Sequence, residues 1–262
     1  MNFAIRRAAA AALAAALVAP VAAPVAAHAE ETPITVRVLS EGAKFIGDTM
    51  GGLRITLHDA ATGEVLASGR TRGGTGDTER IMSAQPRGAT LATEDAAKFE
   101  TTLDLDEPTR VRLVAHGPLA QPQAANTIEE TRTVLPGRGI SGGDGWLLEM
   151  PGLVVDVLGP PAPTTAEAGG EVFLTANVAL MCGCPIGPDT AWPVEDYEVA
   201  ATLVHDGETV RTVPLAYAGT PSHFGARLTL DEPGTWRIAV HAWQETTGNA
   251  GVDYTVVTVP DD

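Results

Sequence analysis

Lysine is nearly absent from the 262-residue chain: Lys44 and Lys98 are the whole set, and 17 basic residues stand against 33 acidic ones. The formal charge of −16 repels nucleic acid and anionic lipid, so neither is expected as a partner. Long apolar runs are missing beyond the N-terminal segment, and no later stretch is expected to span a bilayer. No long pattern with the roughly 3.6-residue helical period follows that segment either. Aromatics make up only 5% of the chain, against 28 glycines and 19 prolines. With abundant valine, threonine and leucine, that balance favours β structure with many turns.

Catalytic motifs are missing too. The glycine-rich "RGGTGDTER" at Arg72–Arg80 lacks the Lys-Ser/Thr of a phosphate loop and precedes no expected helix. It reads as a mobile loop between strands. Asp48, Asp77, Asp144 and Asp189 lie in glycine-rich loops without an EF-hand pattern. Ser141 in "GISGG" has no nucleophile-elbow context. No pair of carboxylates stands out for acid–base work. No catalytic residue is assigned, and the chain reads as non-enzymatic.

Residues 1–29 have the pattern of a Sec-type signal peptide: a basic start with Arg6 and Arg7, an alanine-rich apolar core broken by Pro20 and Pro24, and "AHA" at Ala27–Ala29. Cleavage after Ala29 is expected, with a periplasmic or secreted product. No cysteine follows the apolar core, so no lipid anchor is expected. The remaining 15 basic and 33 acidic residues give the mature chain a charge of −18.

Alternation with period two marks strands at Ile34–Leu39, Leu53–Asp59, Phe99–Leu105, Arg110–His116, Tyr197–His205 and Thr235–Trp243. Two segments match without a gap at an offset of 125 residues: "FETTLDLDEPTRVRLVAH" from Phe99 and "FGARLTLDEPGTWRIAVH" from Phe224. In each, a strand ends, Asp-Glu-Pro turns, and a second strand leaves. The chain is therefore expected to be all-β, with two tandem antiparallel β-sandwiches. Residues 32–157 form the first module, closed by "GWLLEMPGLVVDVL" as its last strand. Residues 158–170 form a Pro/Gly-rich linker, and residues 171–260 form the second module.

"LHDAATGEVLASGRT" at Leu57–Thr71 resembles the strand–turn–strand of transthyretin-like, carboxypeptidase-regulatory-type modules. "FGARLTLDEPGTWRIAVHA" at Phe224–Ala242 resembles the terminal strands of small periplasmic Ig-like domains of the YtkA type. The second resemblance implies a setting in copper and cytochrome-oxidase systems. Neither pattern includes the stretch "MCGCPIGP".

That stretch, residues 181–188, holds both cysteines of the chain. If the strands of the second module alternate up and down, Met181, Cys182, Cys184, His223 and His241 share one end of the sandwich, and His205 lies at the other. Thiolate, thioether and imidazole together suit copper, and thiolates with imidazole suit zinc. Copper is favoured, with Met181, Cys182 and Cys184 as ligands completed by His223 or His241. Metal needs both thiols reduced, whereas an oxidising compartment favours a local Cys182–Cys184 disulfide. Three functions stay open: a soft-metal binding protein, a thiol–disulfide protein cycling Cys182–Cys184, and a structural or adhesive module binding a protein or glycan partner at the cell surface or in the periplasm. The histidines also have plain readings, His241 as a solvent-facing strand residue and His223 as a loop residue.

Overall fold

The alternating segments are strands in the computed structural model, which describes residues 29–83, 86 and 88–261. The expected signal peptide falls outside the described residues except for Ala29. No helix among the described residues is long and apolar enough to cross a membrane.

The first sandwich contains β1 (Glu30–Ser40), β2 (Arg54–Asp59), β3 (Val65–Arg70), β4 (Phe99–Leu105), β5 (Thr109–Gly117), β6 (Asn126–Val134) and β7 (Trp146–Met150). They make a sheet β4-β1-β7 and a facing sheet β3-β2-β5-β6. Inward positions such as Ile55, Leu57, Val111 and Leu113 are fully buried, as the period-two pattern requires. The loop after β3 is not wholly irregular. It contains a one-turn helix, α1 (Thr78–Met82), capped by Asp77, whose carboxylate accepts from the Arg80 N–H.

The second sandwich contains β8 (Leu153–Gly159), β9 (Thr164–Thr165), β10 (Gly170–Leu180), β11 (Tyr197–His205), β12 (Glu208–Pro214), β13 (Ala216–Tyr217), β14 (His223–Leu230), β15 (Gly234–Gln244) and β16 (Ala250–Val259). Its sheets are β13-β14-β10-β8 and β12-β11-β15-β16-β9. The sequence repeat is a structural repeat. The order β3-β2-β5-β6 matches β12-β11-β15-β16, and the pair β4-β1 matches β14-β10. In both copies the Asp-Glu-Pro turn carries the chain from one sheet to the other.

Three features depart from the sequence reading. The segment expected as one closing strand is two strands, because Pro151 lacks an N–H and Gly152 takes φ +121. Upstream of the break, β7 pairs with β1 of the first sandwich; downstream, β8 pairs with β10 of the second. Within the stretch 158–170, Thr164 and Thr165 form β9 against β16. The third departure is orientation. The β1–β7 and β16–β9 pairs are parallel, each joined through a long connection as parallel pairing demands.

The two sandwiches share one continuous apolar cluster that includes Met50, Leu53, Leu153, Met181 and Ile186. Hydrogen bonds cross the junction as well: Asn249 donates to the Glu41 carbonyl at 3.2 Å, and Gln123 to the Val155 carbonyl at 3.2 Å.

Candidate binding cleft at the Cys182–Cys184 loop

Strand β10 ends at Leu180 and the chain turns at once. The Gly183 N–H donates to the Leu180 carbonyl at 2.8 Å, and the Leu180 N–H to the Cys184 carbonyl at 3.2 Å. Gly183 holds φ +75, a conformation that glycine adopts without the steric cost of a Cβ. Cys182 and Cys184 are joined in a disulfide.

The loop is not a free sandwich end. Met181 and Cys182 are each 1% exposed and Cys184 is 4%. The Met181 N–H donates to Ser40 Oγ at 3.2 Å, and the Trp192 indole N–H to the Gly42 carbonyl at 3.0 Å. A Cβ at Gly183 would lie 2.7 Å from Met50 Sδ. Ser222, before β14, exchanges hydrogen bonds with Ile186. The disulfide is therefore packed into the junction between sandwiches, against the thioether of Met50.

A cleft of about 530 Å³ opens beside it. The first sandwich supplies Lys44, Met50 and Thr75, and the second supplies Cys182, Cys184 and Trp192. No sequence motif marks Lys44, and only folding places it opposite the cysteines.

The histidines stand apart from the sulfurs. His223 Nδ1 donates to the Pro221 carbonyl at 2.9 Å. His241 lies on the outward face of β15, with Nε2 3.2 Å from Thr202 Oγ1. Among the described residues, no group of three or more His, Cys, Asp or Glu side chains could hold a metal ion. In the disulfide form neither sulfur is a thiolate, so the ligand set drawn from the sequence for copper or zinc is not assembled here. His205, at the opposite end, stacks on Trp236 with ring centroids 4.4 Å apart. That contact was invisible in the sequence.

A second surface emerges from comparing the two repeats. In the first sandwich, β5 and β6 place His116 opposite Thr127, Val114 opposite Glu129, and Arg112 opposite Thr131. In the second, β15 and β16 place His241 opposite Val252, Ala239 opposite Tyr254, and Arg237 opposite Val256. Position for position, Thr127 becomes Val252, Glu129 becomes Tyr254, and Thr131 becomes Val256. The ion pair of Arg112 with Glu129 at 3.0 Å is replaced by Arg237 lying 5.3 Å from the centre of the Tyr254 ring. The outward positions of β11, β15 and β16 then carry just two charges, Glu198 and Arg237. Trp243, Val252 and Tyr254 are 39%, 38% and 48% exposed there.

No family description matches this chain, and no curated protein does. Solved structures give distant likenesses. An engineered protein is 16% identical with a TM-score of 0.32, over 49% of this chain. The chain spans 24% of that protein's length. The fibronectin(III)-like modules of CbhA from Clostridium thermocellum are 12% identical over 90% of this chain and 92% of theirs, with a TM-score of 0.29. The titin domains z1z2, solved in complex with telethonin, are 11% identical over 90% of each chain, with a TM-score of 0.25. The last two are fibronectin-like and Ig-like β domains, and at such scores none of the three carries an argument.

Proposed function

We propose that the chain is an exported, non-enzymatic recognition protein, a clamped pair of Ig-like sandwiches that docks a partner protein on the outward face of β11, β15 and β16. The observation that carries this reading is the replacement of Thr127 and Glu129 by Val252 and Tyr254 at equivalent register positions. One repeat keeps a charged, solvated face, and its copy presents Trp243, Val252 and Tyr254 to solvent. Tryptophan, tyrosine and arginine are the residues that dominate protein interfaces, and acidic residues are depleted at interface centres. Elsewhere the acidic surface opposes contact with the many anionic surfaces of the envelope. The partner surface expected is apolar, with a carboxylate or carbonyl group to meet Arg237.

The test uses the other repeat as a template. The double variant Val252→Thr/Tyr254→Glu installs residues that the first sandwich carries on the same face, so the fold is expected to survive. Envelope proteins captured by the wild-type chain are purified singly and titrated against both forms. The reading requires one that binds the variant at least 10-fold more weakly, the size of effect that loss of a hot-spot aromatic produces. If every captured protein binds both forms alike, the face is not the docking site. Binding that survives digestion of the ligand source by protease yet fails in the variant identifies a glycan and overturns the choice of partner. Export is checked by N-terminal sequencing of the product, with Glu30 expected first.

A further inference from the structure

We propose that the cleft between the sandwiches is a binding site for a small organic anion, a carboxylate or sulfonate with an apolar body, held at Lys44. Four observations converge there. First, Lys44 is the sole charged residue on the lining of a cleft of about 530 Å³, within the size range of small-molecule sites, which favour domain junctions. Second, its ammonium is under-used. Lys44 Nζ reaches only the Gly76 carbonyl, at 3.5 Å, although an ammonium has three N–H bonds to donate. Lys98, the other lysine, is paired with Glu100 at 3.1 Å, whereas Lys44 has no ion pair among the described residues.

Third, Asp48 and Asp77 are turned to other work. Asp48 accepts from the Gly73 N–H at 3.0 Å, and Asp77 from the Arg80 N–H at 2.7 Å. Neither lines the cleft. Thr49, Thr75 and Thr78 do line it, and their hydroxyls make no hydrogen bond with protein groups among the described residues. Fourth, the residues of the remaining wall are mostly apolar: Met50, Cys182, Cys184, Pro185 and Trp192. The Trp192 N–H is committed to Gly42, so the indole offers the cleft carbon. A charged head at Lys44 and the threonine hydroxyls, with an apolar body against the disulfide and Trp192, satisfies each group in turn. Another hollow, of about 600 Å³, is lined by Asp59 and Glu107 together with Arg110 and Arg112, two charges of each sign, and so carries no such excess charge.

Anilinonaphthalene sulfonate is a suitable probe, since it joins a fixed anion to an apolar body and fluoresces when sheltered from water. The intact chain is titrated with it and competed with octanoate and with octanol. One saturable site is expected, displaced by octanoate and not by octanol at equal concentration. Lys44→Met should weaken it at least 10-fold, and Lys44→Arg, which keeps the charge, should restore it to within about 3-fold of wild type. Ala191→Trp, at an exposed position on the rim, should abolish binding by filling the cleft. Equal binding to wild type and Lys44→Met overturns the proposal, and so does probe binding unaltered in Ala191→Trp. Equal competition by octanol also overturns it, by reducing the cleft to an apolar hollow. Circular dichroism of each variant separates lost binding from lost fold. Should Lys44→Met fail to fold, the Ala191→Trp and octanol arms still decide.

Discussion

Gly183 is the hinge of the disulfide loop, for two separate reasons. Its φ of +75 costs an L-residue about 1 kcal/mol or more, and a Cβ there would press on Met50 Sδ at 2.7 Å. Because the Met50 side chain is flexible, part of that contact relaxes. Gly183→Ala is expected to lower stability by about 1–2 kcal/mol, read as a lower urea midpoint with unchanged slope. Tyr197 makes the opposite argument. Its phenol oxygen is buried without a hydrogen-bond partner. Burial, with the Asp196 charge adding to it, pushes the phenol up to about 12 from an ordinary value of 10.0. The folded chain therefore keeps a proton that the unfolded chain gives up. Stability is complete below the ordinary value and falls as pH rises from there towards the folded one. Tyr197→Phe removes the unsatisfied hydroxyl and should raise stability at neutral pH by about 1 kcal/mol. It should also flatten the decline in alkaline urea melts. A variant less stable than wild type at neutral pH would show that the hydroxyl has a partner in solution.

At the scale of elements, legibility followed locality. The strands Phe99–Leu105 and Tyr197–His205 end where their alternation ends, because side-chain period is a local property. The repeat was readable for the same reason: Asp-Glu-Pro and its flanking apolar residues recur in register. The break at Pro151–Gly152 was not readable, since alternation runs through it and only strand pairing assigns Trp146–Met150 and Leu153–Gly159 to different sandwiches. The disulfide was among the alternatives the sequence offered. Its burial was not, because Ser40, Gly42 and Met50, which cover it, lie more than a hundred residues away. The cleft lysine was hidden likewise. A disulfide closing so short a loop restricts the unfolded chain little, by about 1–2 kcal/mol in the chain-entropy view. Cys182→Ala/Cys184→Ala is therefore expected to keep the fold, as read by circular dichroism, and to lose about 1–3 kcal/mol once lost packing at the buried sulfurs is included. Partner binding at the β15–β16 face, to which neither cysteine belongs, should be unchanged. A variant that folds but no longer docks its partner would place the disulfide in function and not in the clamp.

Over the whole molecule, excess negative charge opposes a junction that is apolar and hydrogen-bonded. The ion pairs Lys98–Glu100, Arg112–Glu129 and Arg227–Glu171 are surface pairs, each worth between zero and about 1 kcal/mol. They leave most of the 33 acidic residues uncompensated, and compaction brings those charges closer together. Salt should therefore stabilise this chain. Raising sodium chloride from about 20 mM to about 300 mM shortens the screening length from roughly 20 Å to roughly 6 Å. It weakens long-range repulsion more than the few close attractions. The expected result is a Tm higher by several degrees, on the scale of about 2–4 °C per kcal/mol for a chain of this size. Because a single apolar cluster runs through both sandwiches, that rise should appear in one calorimetric transition whose van't Hoff and calorimetric enthalpies agree. Two transitions, of which salt moves only one, would mean that the sandwiches fold apart and that the junction around Cys182–Cys184 does not couple them. A Tm that falls with salt would mean that attraction at close pairs, and not repulsion among the acids, governs the surface.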